Sequence, residues 1–339
     1  MHYFRGLRKE DIAMSEPNVQ VYTGSNCIEV QYYFEEETHL MDALVQNKCE
    51  YELLALIKEV AARFRLSIHI ETAPLAEKGF RWRFKVALKK DNKTGPVAIT
   101  IATAVLVAMI ANPLATSGSE EAKQLIDQLT ATPEFEQFTE EKTKTLIEKR
   151  IQQMIASCSN LDASNVLKKR RSNFFELLKK YPRINRVQLT ALDEQRSKIT
   201  QEKTITRQQF EQQILTSDVL EPEEIDNVDI EIVSPVLKKS NYKWVGVYNG
   251  KARSFTMLSK EFKKLVQSGK VEFKNGTIIN CQISIHKKIN SEGTERITGM
   301  TIDRVNQYYE NDKPVETNEG KKQKKQPEQG PTQQLALFM

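Results

Sequence analysis

The side chains that perform most catalysis are few in this 339-residue chain, and their spacing is uninformative. The four histidines form no HExxH motif or other paired metal-ligand spacing, and the four cysteines form no CxxC pair. With 13 glycines, the chain has no P-loop, no GxGxxG turn and no GxSxG elbow. The cysteine spacing indicates reduced thiols in a cytosolic protein. We therefore predict a cytoplasmic protein with no metal, no cofactor and no catalytic residue.

One triplet keeps an enzymatic alternative open. Glu272-Phe273-Lys274 has the E-x-K spacing that resembles restriction-type nucleases, in which carboxylates and a lysine bind Mg²⁺ and position water. That chemistry needs an additional aspartate, and the candidates Asp226 and Asp229 lie in an acidic stretch that we predict to be a linker. A metal-dependent nuclease or toxin-like effector is thus the second hypothesis.

Positive charge is concentrated between residues 160 and 190, which contain eight Lys or Arg residues and only two acidic residues. These are Lys168, Lys169, Arg170, Arg171, Lys179, Lys180, Arg183 and Arg186. Helical spacing places Lys168, Arg171 and Lys179 near one face, while Phe174 and Phe175 turn inward. Such one-sided charge suits phosphate contacts. A solvated helix face has the same pattern, and the net charge of +5 does not choose between the two.

The strongest functional signal is the peptide Gln334-Leu335-Ala336-Leu337-Phe338. It resembles the bacterial sliding-clamp-binding pentapeptide, whose consensus is Gln-Leu-x-Leu-Phe, and it matches at all four specified positions. The resemblance covers five residues and implies a partner, the clamp of DNA replication and repair, and not an activity. The preceding residues 311–333 contain one aliphatic side chain, Val315, and no aromatic one. We predict that they form a disordered tether.

The first half of the chain, residues 1–159, is predicted to be an α+β domain. A strand at 28–34, a helix at 49–64 and strands at 66–71 and 80–88 follow from hydrophobic periodicity. A further helix is expected within 120–157.

An apolar segment without charged residues extends over 95–115. Its length is enough for one membrane span, but its flanking charges favour a buried helix near 96–112. Its alanines would also permit a homo-oligomer contact. A single-pass membrane protein is the third hypothesis.

Residues 160–310 are predicted to hold the basic helix, a strand at 184–192, a helix at 206–215 and a β-rich domain. Asn-Gly pairs at 249–250 and 275–276 predict hairpins, and five or six strands around one helix predict a small barrel or curled sheet at 228–308. Trp244, Gly246 and Tyr248 would share one face, either in the core or as a base-stacking platform. This W-x-G-x-Y stretch resembles uncharacterised bacterial proteins linked to mobile elements, a likeness that implies no activity.

These observations favour a binding or regulatory protein that the clamp recruits and that contacts DNA. Roles as an accessory in replication, repair or phage defence are consistent with this hypothesis.

Overall fold

The computed structural model describes residues 22–35, 40–73, 80–89, 95–111, 164–199, 201–238, 242–310 and 313–325. The chain divides into two compact units, Met1–Leu215 and Thr216–Met339. Both units combine helices and strands, so the predicted α+β class is confirmed. The helix expected within 120–157 lies outside the described residues.

The first unit contains a five-stranded antiparallel sheet with strand order β2-β3-β1-β4-β5. The strands are β1 (Tyr22–Phe34), β2 (Ile68–Ala73), β3 (Phe80–Lys89), β4 (Ile184–Leu192) and β5 (Lys203–Thr206). The helices described in this unit are α1 (Ala43–Arg63), α2 (Gly95–Ala111) and α3 (Asn165–Lys180). The positions of these elements agree with the sequence prediction to within a few residues, except that β1 and α1 each begin about six residues earlier and that β5 was not predicted.

The apolar helix α2 belongs to the core of this unit. Ile99, Val105 and Ile110 are fully buried, and α2 contacts four strands of the sheet. Within the part of the chain that the structure describes, no helix is both long and apolar enough to cross a membrane. Ala102 and Ala108 are already buried in a single chain. The homo-oligomer contact stays a prediction, and it would require α2 to be uncovered first.

The basic helix and its strand belong to the first unit and not to the second. Strand β4 pairs with β1 along most of its length, from Phe34↔Ile184 to Cys27↔Leu192. The boundary between the units therefore lies after Leu215 instead of near Ser159. The sequence could not show this because the pairing joins segments about 150 residues apart. The prediction of a helix at 206–215 is wrong, because this segment forms two 3₁₀ turns, at 207–209 and 211–213, and no α-helix.

The second unit is a closed five-stranded barrel, which is one of the two forms, a small barrel or a curled sheet, that the sequence predicted. Its strands are β6 (Glu223–Ser234), β7 (Trp244–Tyr248), β8 (Lys251–Met257), β9 (Ile278–Ile289) and β10 (Glu295–Glu310). They pair in the order β6-β7-β8-β10-β9, and β9 returns to β6. Only β8 and β10 are parallel among these pairs. This Greek-key arrangement is that of oligonucleotide- and oligosaccharide-binding barrels.

The barrel core is built from alternating inward side chains and one helix. Helix α4 (Lys260–Gln267) lies between β8 and β9 in the chain, and its Phe262 is fully buried. Trp244 packs against Phe262 and Phe273, with ring centroids 5.9 and 5.8 Å away. Trp244 is thus a core residue and not a base-stacking platform.

Two segments expected to lack regular structure are ordered. The predicted acidic linker at 221–229 is wrong, because β6 begins at Glu223 and pairs with β9. A bulge between Ile225 and Val228 shifts the alternation of apolar residues, which hid the strand from periodicity. Residues 313–325 form strand β11 (Lys313–Glu316), paired with β10, and helix α5 (Asn318–Lys325). The predicted tether therefore begins no earlier than residue 326.

The two Asn-Gly pairs have different outcomes. Asn249 and Gly250 have φ angles of 49° and 70° and connect β7 to β8, so this predicted hairpin is confirmed. Asn275-Gly276 makes only a turn before β9, because residues 271–274 form no strand.

Candidate functional site

The clamp-type peptide, Gln334 to Phe338, lies outside the described residues. The nearest described element is α5, which ends nine residues before Gln334. Helix α5 is attached to the barrel unit, so a partner bound to the peptide would be linked to that unit.

Helices α4 and α5 cap each other through two glutamates. The Glu261 carboxylate accepts hydrogen bonds from the backbone N–H groups of Asn318 and Glu319 at 2.8 and 2.9 Å. In return, Glu319 accepts one from the Ser259 hydroxyl at 2.6 Å and one from the Glu261 N–H at 3.4 Å. Carboxylates at helix N-termini are favourable because they satisfy unpaired donors and complement the helix dipole. The α5 helix is thereby joined to the barrel unit.

Packing adds to this attachment. Thr317 is almost fully buried, and its hydroxyl bonds the carbonyl oxygens of Val305 and Asn306. Gly320 lies directly against the backbone of Asn306, where a side chain would collide. The sequence contained a weak signal for this helix in its Thr-Asn-Glu start, but the many lysines obscured it.

Four of the eight basic candidates around α3 are buried or half-buried, and two of them bond to other elements of the first unit. Lys169 and Arg170 are each 8% exposed. Arg170 forms an ion pair with Glu52 at 3.2 Å, and the hydrogen bond and charge of Glu52 raise the arginine's pKa against the opposing effect of burial. Arg171 donates to the backbone carbonyl of Met109 at 2.7 Å. Lys168 is half-buried.

The other four basic candidates are exposed and form one short stretch. We call Lys179, Lys180, Arg183 and Arg186 the α3–β4 patch. Lys179 and Lys180 pair with Glu211 and Glu176, at 2.8 and 3.4 Å, in well-exposed ion pairs that solvent weakens. Arg186 stacks on the Tyr33 ring, 3.9 Å from its centroid. Phe174, Phe175 and Leu178 turn into the core as predicted.

The E-x-K triplet lies at an open cleft of about 450 Å³ that Lys270, Tyr309 and Glu310 also line. Glu272 and Lys274 are both well exposed and lie 4.0 Å apart. The described residues contain no group of three His, Cys, Asp or Glu arranged to hold a metal.

The aspartates proposed to complete that nuclease site have other partners. Asp226 pairs with Arg304 at 2.9 Å, and Asp229 accepts from the Asn280 amide at 2.8 Å. Burial alone would raise the pKa of Asp226, but hydrogen bonds from Asn227, Gln323 and Asn306, with the Arg304 charge, hold it below the usual range. The Asp226 carboxylate is thus an ionised partner of protein groups.

The described thiols are poor nucleophiles. Burial raises the pKa of Cys49 to about 12, assisted by Glu50 and Glu52. The pKa of Cys281 is also raised, by burial and by nearby aspartates, and that of Cys27 chiefly by burial. A thiol with a raised pKa stays protonated near neutral pH, where only the thiolate reacts. These three described thiols are free.

Sequence reasoning overlooked one basic surface, on the hairpin of β7 and β8. Lys243, Lys251 and Arg253 are exposed there and form no ion pair with another described residue. The signal was present in the sequence as a stretch rich in cations and free of acids, spread over two strands and their loops.

No protein-family model, curated protein or solved structure matches this chain.

Proposed function

We propose that this chain is a DNA-associated binding and regulatory protein that is recruited to a bacterial sliding clamp. One observation carries the proposal: Gln334, Leu335, Leu337 and Phe338 satisfy every specified position of the clamp-binding pentapeptide. Leu337 and Phe338 supply the apolar anchors, Leu335 adds contact area, and Gln334 offers an amide for hydrogen bonds. A few buried anchors of this kind provide most of the energy of a peptide interface.

The attachment of α5 links the peptide to the barrel unit at a short distance. Because α5 is capped and packed against the barrel unit, a clamp that holds Gln334 keeps that unit within reach. Nine residues span at most about 32 Å when fully extended. Tethering at this distance raises the effective concentration of the barrel near clamp-bound DNA.

Calorimetry with a synthetic peptide of residues 326–339 and purified clamp tests the recruitment. We expect a dissociation constant around micromolar, because few anchors must offset the cost of ordering the peptide. Replacing Leu337 and Phe338 together by alanine should cost about 2 kcal/mol or more. Ala336→Ser is the matched control and should cost almost nothing. No binding at high micromolar clamp contradicts the proposal.

The α3–β4 patch is the part of the predicted basic set that supports a DNA contact. Replacing Lys179, Lys180, Arg183 and Arg186 by glutamine should weaken duplex binding and flatten its salt dependence. Each phosphate contact that is lost reduces the number of counterions released from the DNA on binding. The measurement is a gel shift at low and moderate salt. Replacing the half-buried Lys168 alone is the control. An unchanged shift at low salt removes the DNA contact from this patch and leaves the clamp proposal intact.

A further inference from the structure

Strand β2 is an open edge of the sheet in the first unit. Within the part of the chain that the structure describes, β2 pairs with β3 and with no strand on its other side. The pairing of Ile68–Ala73 with β3 contains no bulge, and no proline lies within these six residues. Proteins usually guard such an edge with a proline, a bulge or an inward-pointing charge, because an unguarded edge accepts a further strand.

The other terminal strands of the two described sheets are less suited to this. Strand β5, at the opposite edge of the same sheet, is only four residues long. Strand β11, at the edge of the second sheet, is equally short and contains Pro314, which has no N–H to donate. Strand β2 is therefore the terminal strand that offers another chain the longest unguarded row of backbone groups.

The two faces of β2 differ in chemistry. Ile68 and Ile70 lie on the core face and are only partly buried. His69 and Glu71 lie on the other face, and their side chains are 41% and 46% exposed. The Glu71 carboxylate lies 3.5 Å from the His69 ring and 3.8 Å from the Lys85 ammonium group. The edge thus presents apolar side chains on one face and an imidazole beside a carboxylate on the other.

These side chains restrict how two copies of β2 can pair. Because side chains alternate between the faces, residues opposite each other in an antiparallel pair must be both odd-numbered or both even-numbered. Pairing centred on Ile70 places His69 opposite Glu71 of the second copy, at two symmetry-related positions. Pairing centred on Glu71 places two carboxylates directly opposite each other, which is destabilising. Pairing centred on His69 would use only three residues of the strand. Charge and length therefore both favour the register centred on Ile70.

We propose that this chain forms a twofold dimer in which β2 pairs antiparallel with β2 of a second copy, in the register centred on Ile70. The two five-stranded sheets become one continuous sheet. An imidazole N–H of His69 can donate to the opposite carboxylate whether or not the ring is charged. This contact differs from the one considered for α2, because it requires no buried helix to be uncovered.

The dimer goes beyond the proposed function and does not depend on it. It needs neither the clamp nor DNA, so either proposal can fail alone. Two linked copies would hold a partner that has two binding sites more tightly than one copy does, because the second contact is then intramolecular.

Sedimentation equilibrium of the full chain tests the association. We expect a monomer–dimer equilibrium with a dissociation constant around 10 μM, because a short strand pair must offset the lost freedom of two chains. His69→Glu should weaken the dimer about tenfold or more, since it places like charges opposite each other twice. The exchange His69→Glu/Glu71→His reinstates opposite partners and should return the affinity to within about threefold of wild type. Thr204→Glu, which adds a carboxylate at an exposed position of β5, is the matched control and should have no effect.

Cysteine cross-linking tests the register. Ile70→Cys places two thiols opposite each other with about 5 Å between their Cα atoms, which is within the range of a disulfide. In the same register Ile68 lies about 14 Å from its counterpart, so Ile68→Cys should give no linked dimer. Wild type under the same mild oxidation is the background, because every variant keeps the four native cysteines. Mass spectrometry of the linked peptide identifies the bond.

Several results would overturn the proposal. A chain that stays monomeric at several hundred micromolar forms no such dimer. A dimer that His69→Glu leaves unchanged, that the exchange variant fails to restore, or that Thr204→Glu weakens equally uses another surface. Equal cross-linking by Ile68→Cys and Ile70→Cys contradicts the register, and oligomers larger than two contradict the symmetry, because twofold pairing of one edge closes with two chains. Circular dichroism spectra that match wild type show that the variants fold.

Discussion

At the scale of single residues, Gly246 shows why the W-x-G-x-Y stretch has its composition. Trp244 fills the barrel core, and two residues later Gly246 faces β6 at close range. A Cβ at Gly246 would lie 2.5 Å from the Ile230 side chain and 2.9 Å from the Glu231 carbonyl oxygen. The glycine is needed because the neighbouring strand approaches too closely for any side chain.

Gly246→Ala should therefore destabilise the barrel by about 2 kcal/mol, the usual cost of overpacking a dense core. Gly299→Ala is the control, because a Cβ there meets nothing within 4 Å. Urea unfolding monitored by circular dichroism gives both values. If the two substitutions lower the free energy of unfolding equally, the close approach of β6 is not the reason that position 246 needs glycine.

The basic residues of α3 show a limit of sequence reasoning at this scale. Periodicity correctly directed Phe174 and Phe175 inward. It gave no warning that Lys169 and Arg170 would also be buried, because the partner of Arg170 is Glu52, 118 residues earlier. A buried cation depends on a distant carboxylate, and only the fold brings the two together.

At the scale of elements, local patterns predicted most of the structure. The barrel helix, with Ser259 as its N-cap and Gly269 at φ 70°, carries its start and stop signals in its own sequence. The regions that sequence reasoning missed, the first half of β6 and all of α5, depend on non-local partners. A bulge offsets the alternation in β6, and Glu261 caps α5 from 57 residues away. Composition alone made both segments resemble solvated linkers.

The contact between α5 and the barrel gives a prediction at the element scale. Gly320→Ala should release the helix, because its Cβ would collide with the backbone of Asn306, which cannot move aside. In wild type, the Lys321 amide bonds the Thr317 carbonyl at 3.1 Å. Hydrogen exchange of residues 318–325 should become at least tenfold faster in the variant. Lys322→Ala, on an exposed position, is the control and should leave the exchange unchanged. Equal protection in both variants would show that the packing at Gly320 does not hold α5.

At the scale of the whole molecule, the chain combines two compact units with a peptide that we propose binds a replication clamp. Each unit carries its own exposed basic residues, the α3–β4 patch in the first and Lys243, Lys251 and Arg253 of the β7–β8 hairpin in the second. The hairpin surface was detectable from charge counts along the sequence, but its exposure was not, because that depends on β8 being paired with β10 over only two residues.

The most direct test of the central claim measures binding of the full chain to an immobilised bacterial sliding clamp by interferometry. We expect a dissociation constant around micromolar, and excess 326–339 peptide should compete the binding away. The Leu337→Ala/Phe338→Ala variant should bind about 30-fold more weakly or worse, the equivalent of about 2 kcal/mol. Binding that survives both substitutions and resists the peptide would contradict recruitment through Gln334–Phe338.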